Sequence, residues 1–390
     1  MSNYKIGFWN YVKCGEINSK NAVNDWRELG MNLAMSFTYC YQKHNKQDLI
    51  DMLDECLKNN ISVIVCDERT QFRTLIKEGE ESFKIGVQNA IEDFGWHKAV
   101  FGFSVGDEPD AREWESAISA YNIVQNANKN LTAFINFYPY FIDDSFNQIL
   151  GVERDDYWDK LDDFLKRTGA KILSYDFYGQ CNYFDKELWI DVYFKNLNNF
   201  RRVAENNNAQ LYTCLLSVGH WGYRVPTEDD MRWQISTAVA HGAVGLLWFY
   251  LYARTVEFSY RNAPIDMFYK KTDTYDKLCR QNRIFGEYFA EKLEGFNFLS
   301  VQHYLKQYGE TQTFDGSGLL KNVKTVINEK PFSISHFGNA NGEKCVVVVN
   351  LCQDEPSAVN FEFVYEWQKY NGLYWFAPGQ MMIFTEESCI

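Results

Sequence analysis

Two acidic residues stand where an apolar run gives way to polar chain, and both are placed to do proton chemistry. Glu108 lies in FGFSVGDEPD (101–110), with Gly106 and Asp107 before it and Pro109 behind it. Asp176 lies in SYDFYG (174–179), in the same relation to another run. A carboxyl group at such an edge is partly stripped of water, which raises its pKa and suits it to hold and donate a proton. Each has a plainer reading. Asp107 and Pro109 could simply begin the next helix, and Asp176 could pair with an arginine or cap an amide. Glu68, with Arg69 beside it as a salt-bridge partner, and Glu257 are rivals for the second acidic role.

The residues at the ends of the other apolar runs are amides and rings: Trp9, Tyr39, Asn136, Tyr138, Tyr178, Trp221 and Trp248, with His220 before Trp221. Flat rings stack on the C–H faces of sugars, while Asn and Arg69 hydrogen-bond hydroxyls. His220 could bond a hydroxyl or buttress Trp221. Cleavage of a glycosidic bond requires this set: one carboxylic acid protonates the leaving oxygen, and a second carboxylate attacks the anomeric carbon or activates water. Each ring alone could equally belong to the core.

Other chemistries lack their residues. The six His do not cluster, so no metal constellation forms. There is no GxSxG elbow and no phosphate-cradling glycine loop. The net charge is −13 and no run of Lys or Arg exceeds two residues, which argues against a nucleic-acid partner. No apolar run approaches the roughly 18–20 residues of a membrane span. The start, MSNYKIGFWNYVKCGEINSK, lacks the pattern of an export leader. Ten Cys are spread singly, without a CxxC pair, and read as reduced thiols. A cytoplasmic protein without cofactor or structural zinc is expected. Aromatic residues make up 17% of the chain against only 7 Pro, so the surplus rings fill a core or line a surface where flat ligands stack.

Positioning these groups takes a repeated element. Eight apolar runs recur, at 5–12, 31–39, 61–66, 100–105, 131–138, 171–178, 210–218 and 243–251. Their near-continuous apolar character suits strands covered on both faces. Helical patterns separate them, at 49–57, 110–128, 185–206, 227–241 and 273–293. Thr227 and Asp230 have the spacing of a capping box. Eight strand–helix units over about 300 residues predict a (β/α)8 TIM barrel, with its site at the C-terminal ends of the strands. An open doubly wound sheet is the alternative, but CGEINSKN after the first run has no GxGxxG. Residues 1–300 are read as the barrel and 301–329 as a polar connection. Residues 330–390 are read as a small antiparallel β-sandwich, with strands at 332–337, 344–350, 358–363, 374–376 and 380–385.

Three stretches resemble a known group. VFGFSVGDEPD (100–110), RVPTEDDMRWQISTAVAHGAVGLLWFYLY (224–252) and NGEKCVVVVNLCQDEPSAVNFEF (341–363) are similar to parts of barrel glycoside hydrolases. The clan is the one that includes barrel β-galactosidases and cellulase-like enzymes. The resemblance implies an acid/base Glu after the fourth strand, here Glu108. It implies a sugar-stacking ring in the eighth strand, here Trp248, and a C-terminal β-sandwich. It fails at one place. That clan keeps a nucleophilic Glu at the end of the seventh strand, where this chain has LSVGHW (216–221). Asp176 is the best substitute, as nucleophile or base. The expectation is a glycoside hydrolase acting on a short oligosaccharide or glycoside. A catalytically silent carbohydrate-binding barrel and a barrel lyase or isomerase are the alternatives.

Overall fold

In a computed structural model, which describes residues 4–253, 259–365 and 368–385, all eight apolar runs contribute a strand. In chain order they are β1 (Lys5–Phe8), β2 (Leu33–Met35), β3 (Ser62–Val65), β4 (Val100–Asp107), β5 (Thr132–Phe137), β6 (Ile172–Asp176), β7 (Gln210–Leu216) and β8 (Gly245–Phe249). They form one parallel sheet in the order β1-β8-β7-β6-β5-β4-β3-β2. Seven neighbouring pairs share parallel ladders. The seam between β1 and β2 is bridged instead by the bonds of Thr38 to Val12 and Cys14 and by Asn32. The Asn32 amide N–H donates to the Ile6 carbonyl at 2.9 Å, and its side-chain oxygen accepts the Ile6 N–H at 2.9 Å. The fold is the expected barrel. Strands β1 and β2 are shorter than their apolar runs because Trp9 to Val12 and Ser36 to Tyr39 leave the ladders and build the rim.

Helices cover the outside. They are α1 (Ser19–Glu28), α2 (Lys46–Lys58), α3 (Phe72–Glu78), α4 (Glu80–Phe94), α5 (Trp114–Ala127), α6 (Phe146–Leu150), α7 (Tyr157–Thr168), α8 (Lys186–Asn206), α9 (Glu228–Ala240) and α10 (Asp273–Ile284). The Thr227–Asp230 capping box is present at the start of α9. One core fills the space between strands and helices, and a second fills the barrel, with Leu33, Ile64, Phe134, Tyr212 and Leu247 among its residues. Close packing there demands small residues. A Cβ at Gly245 would lie 2.2 Å from the Tyr212 ring. Among the described residues no helix is long and apolar enough to cross a membrane.

The rest of the chain is β-structure: β9 (Phe296–Tyr304), β10 (Gln312–Thr313), β11 (Leu320–Ile327), β12 (Phe332–Asn339), β13 (Lys344–Asn350), β14 (Ser357–Tyr365), β15 (Gln368–Phe376) and β16 (Met381–Thr385). A five-stranded sheet, β10-β9-β12-β13-β16, faces a three-stranded one, β11-β14-β15. Ile334, Val346, Val348 and Phe384 from the first meet Val323, Val359, Phe361 and Phe376 from the second. Residues 301–329, expected as a polar connection, hold the end of β9 together with β10 and β11. The sequence pattern hides β11 because only Leu320 and Val323 are buried, and its Lys, Asn and Thr residues largely face water. The other face of the five-stranded sheet packs on the barrel through Phe337, Cys345, Val347 and Val349. Hence the run Cys345–Asn350 is buried throughout.

Polar bonds join the two parts at α9. The Trp233 indole N–H donates to the Leu351 carbonyl at 2.8 Å. His241 and His303 meet through their Nε2 atoms at 3.2 Å. His241 Nδ1 lies 2.8 Å from the Thr237 carbonyl and so carries its proton there, while His303 Nδ1 accepts the Tyr308 amide at 3.2 Å. His303 therefore donates to His241, and both rings are neutral.

Candidate active site at the strand ends

The two acids picked out in the sequence lie in contact. Strand β4 passes an irregularity between Ser104 and Gly106 on its way to Asp107. Gly106 has φ +149°, and a Cβ there would strike the Phe72 ring at 2.3 Å. Glu108 then turns into the left-handed region at φ +45°, with its N–H donated to the Asn136 carbonyl at 2.9 Å. A glutamate held there costs of order 1–3 kcal/mol, a strain that collects at functional positions. Strand pairing brings Asn136 of β5 between Asp107 of β4 and Ser174 of β6. The Asn136 amide donates to Asp107 at 3.2 Å and to Asp176 at 2.9 Å, and its oxygen accepts the Ser174 hydroxyl at 2.8 Å. Asp176 also takes hydrogen bonds from Glu108 and the Tyr178 hydroxyl.

This crowding decides where protons sit. Burial, followed by the charges of Asp176 and Asp107, pushes the Glu108 carboxyl well above the usual carboxylate range, and the bond it donates to Asp176 adds to the effect. Burial and the Asp176 charge raise Asp107 to about 7. Burial raises Asp176 to about 6, against the hydrogen bonds from Asn136, Glu108 and Tyr178. Three carboxyl groups in one cluster cannot all be charged. At neutral pH Glu108 keeps its proton and Asp176 is the acceptor. All three retain some exposure, toward a cavity of about 420 Å³.

Eight of the residues expected at the site line that cavity: Trp9, Glu108, Asn136, Tyr138, Asp176, Tyr178, His220 and Trp221. His220 faces the cavity beside Trp221, with ring centres 5.2 Å apart. Burial lowers its pKa to about 4, so the imidazole is neutral. Trp221 is 63% exposed, at φ +46°, with its N–H on Ser259 at 3.1 Å.

Four expected residues lie elsewhere. Trp248 is fully buried among the helices, with its indole N–H on Asn282 at 2.9 Å. Tyr39 is buried edge-on against Phe94 at 5.1 Å. Arg69 bridges Asp67 at 2.7 Å and Asp93 at 2.8 Å, so it is a structural cation. Glu68 opens a short turn, Glu68–Thr70, that Asp67 caps, and its carbonyl accepts the Thr74 hydroxyl. The chain swings outward after β3 and takes Glu68 and Arg69 into the helical layer. Glu257 lies outside the described residues.

The cavity also holds residues not singled out beforehand. Asp107 and Tyr11 stand at strand ends and had that signal. Phe249 stacks on Tyr178, with ring centres 5.4 Å apart. Trp189 comes from α8, and Tyr223 and Tyr260 come from loops, where sequence carries no sign of which way a ring points. Pro139, Phe141, Asp143, Phe177 and Cys214 complete this group. Among the described residues no three His, Cys, Asp or Glu side chains are arranged to hold a metal ion.

No protein-family model and no curated protein matches the sequence. Solved structures match the fold at low identity. A cold-adapted β-galactosidase from Rahnella sp. R3 is 12% identical, with 77% of this chain and 58% of that chain covered, at a TM-score of 0.56. A GH5_18 protein from Bifidobacterium longum subsp. infantis is 12% identical, with 73% and 79% covered, at 0.51. Amy13B from Eubacterium rectale is 11% identical, with 98% and 96% covered, at 0.53. The chain has the fold of barrel glycoside hydrolases. It spans 58–61% of the length of the β-galactosidases it matches, and likeness at this identity concerns the fold alone.

Proposed function

We propose that the chain is a glycosidase in which Glu108 is the general acid and Asp176 the nucleophile or base. One observation carries this reading: Glu108, half-buried and in hydrogen-bond contact with Asp176 in an aromatic-lined cavity at the strand ends, where its surroundings favour the acid form. When a glycoside enters, its leaving oxygen replaces Asp176 as the acceptor of the Glu108 proton. The bond between the anomeric carbon and that oxygen breaks as the proton arrives. Asp176, freed of its hydrogen bond, either bonds to the anomeric carbon or takes a proton from the water that does so. In the first case water later cleaves the ester, with Glu108 as base. The free carboxyl groups are in contact, closer than the roughly 5–5.5 Å of retaining enzymes or the 6.5–9.5 Å of inverting ones. Their contact lies nearer the retaining spacing.

A silent sugar-binding barrel is the second reading. It is favoured by the end of β7, where Ser217 to His220 bring no carboxylate, and by the three side-chain donors already on Asp176. Glu108→Gln separates the two. Turnover of glycosides with poor leaving groups is expected to fall by about 10²–10⁴. Dinitrophenyl glycosides, which need no protonation, lose far less, and sugar affinity is kept. Full activity of the variant on poor leaving groups removes Glu108 as the acid. A wild type that binds sugars and hydrolyses none of a broad panel supports the binding barrel.

A further inference from the structure

We propose that the site continues past Trp221 onto an exposed aromatic step made by Phe184 and Tyr183, which carries a further sugar unit of the same substrate. The inference rests on the glycosidase reading and names its substrate class: an oligosaccharide whose chain runs out over this step, in preference to a simple monoglycoside.

The step is built from the loops that follow β6 and β7. Backbone bonds zip them together. The Tyr183 N–H donates to the Gly222 carbonyl at 3.3 Å, and the Arg224 N–H donates to the Cys181 carbonyl at 2.9 Å. Asn182 and Tyr223 form an isolated bridge. The Asn182 side chain accepts the Phe184 N–H at 2.9 Å and fixes the turn. Arg224 is anchored in turn by Asp230 at the head of α9. The Phe184 ring reaches across to the other loop, since a Cβ on Gly222 would come within 3.9 Å of its Cε2 atom. Phe184 is therefore seated beside the residue that follows Trp221.

These rings are placed outward on a rigid support. Phe184 is 68% exposed and Tyr183 63% exposed. Folding gains little from rings left in water, and a contiguous exposed apolar patch marks a contact surface. What identifies the occupant is continuity. Trp221 lines the cavity that holds Glu108 and Asp176, and it belongs to the same loop pair as the step. A glycan leaving the cavity over Trp221 meets Phe184 next. Its C–H faces suit flat rings, and its hydroxyls stay hydrated at the open edge.

The test uses β-1,4-linked cello-, manno-, xylo- and galacto-oligosaccharides of two to five units, with both kcat/KM and calorimetric binding measured. For the accepted series, the wild type is expected to gain with chain length. Phe184→Ala and Tyr183→Ala are expected to lower the ratio of long-chain to disaccharide kcat/KM by about three- to tenfold, and Phe184→Tyr restores it. An unchanged ratio in both alanine variants, or a wild type indifferent to length, overturns the step. If none of these is hydrolysed, the broad glycoside panel judges the glycosidase reading, and binding alone judges the step. Tighter binding of longer chains that Phe184→Ala abolishes supports it; absence of any length dependence overturns it.

Discussion

Asp107, Glu108 and Asp176 share too few charges among three carboxyl groups, and their pH behaviour follows. Each has a folded pKa above its ordinary value. Such groups contribute stability that is complete below the ordinary carboxylate range, near 4, and is lost as pH rises through about 6 for Asp176 and about 7 for Asp107. Asp107→Asn removes one charge and leaves an oxygen to accept the Asn136 amide. We expect it to raise the melting temperature by at least about 2 °C near pH 8 and by little near pH 4. It also relaxes the Glu108 proton, so the alkaline limb of the activity profile moves to lower pH. Equal shifts in melting temperature at both pH values would count against the shared-charge account. Glu108 and Asp176 stood out in sequence because each lies where an apolar run turns polar. Asp107 carries the same signal but reads as a helix start, and only its Asn136 contact gives it a second part.

Along a strand, alternation decides which ring meets a ligand. Trp248 and Phe249 are consecutive in β8, so they point to opposite faces. Phe249 looks into the cavity, and Trp248 looks out into the helices. The sequence WFYLY offers no phase, since every residue is apolar or aromatic, and the resemblance to barrel hydrolases picked Trp248, which the structure buries. Trp248→Ala is expected to cost about 3–5 kcal/mol of stability and to leave Asn282 without its indole partner. Denaturant unfolding checks this. A folded variant of near-normal stability that has lost sugar affinity would return Trp248 to the binding surface. Loops were less legible than strands for a related reason. Trp189, Tyr223 and Tyr260 reach the cavity from a helix and two loops, which have no period tied to the barrel axis.

For the whole molecule, the barrel and the β-sheets meet at the neutral His241–His303 pair. Burial lowers His241 to about 3 and His303 well below its ordinary value, with Arg201 adding to the effect on His241 and His241 to that on His303. A depressed histidine contributes stability present above its ordinary pKa, near 6.5, and lost as pH falls toward the folded value. This trend opposes that of the carboxylate cluster. His303→Asn keeps an acceptor for Tyr308 and removes one titrating ring. Its stability, measured by denaturant unfolding, is expected to fall less steeply than the wild type's between about pH 6 and 4; an identical slope would remove the pair from the acid response. Eight strands and the C-terminal sheets were legible because apolar runs announce them. The edge strand β11 was not, since one apolar face among polar residues looks like a connection. Neither was the seam, which is bridged by Asn32 and by the bonds of Thr38 to Val12 and Cys14 in place of a ladder. That seam has a consequence for the order in which the protein comes into being. Of the barrel strands β1 is made first, yet among the described residues its only ladder is with β8, the last barrel strand to be made. Until then Asn32 and the backbone bonds of Thr38 with Val12 and Cys14 tie it to its neighbour across the seam, so the barrel becomes a ring only when its newest strand returns to its oldest.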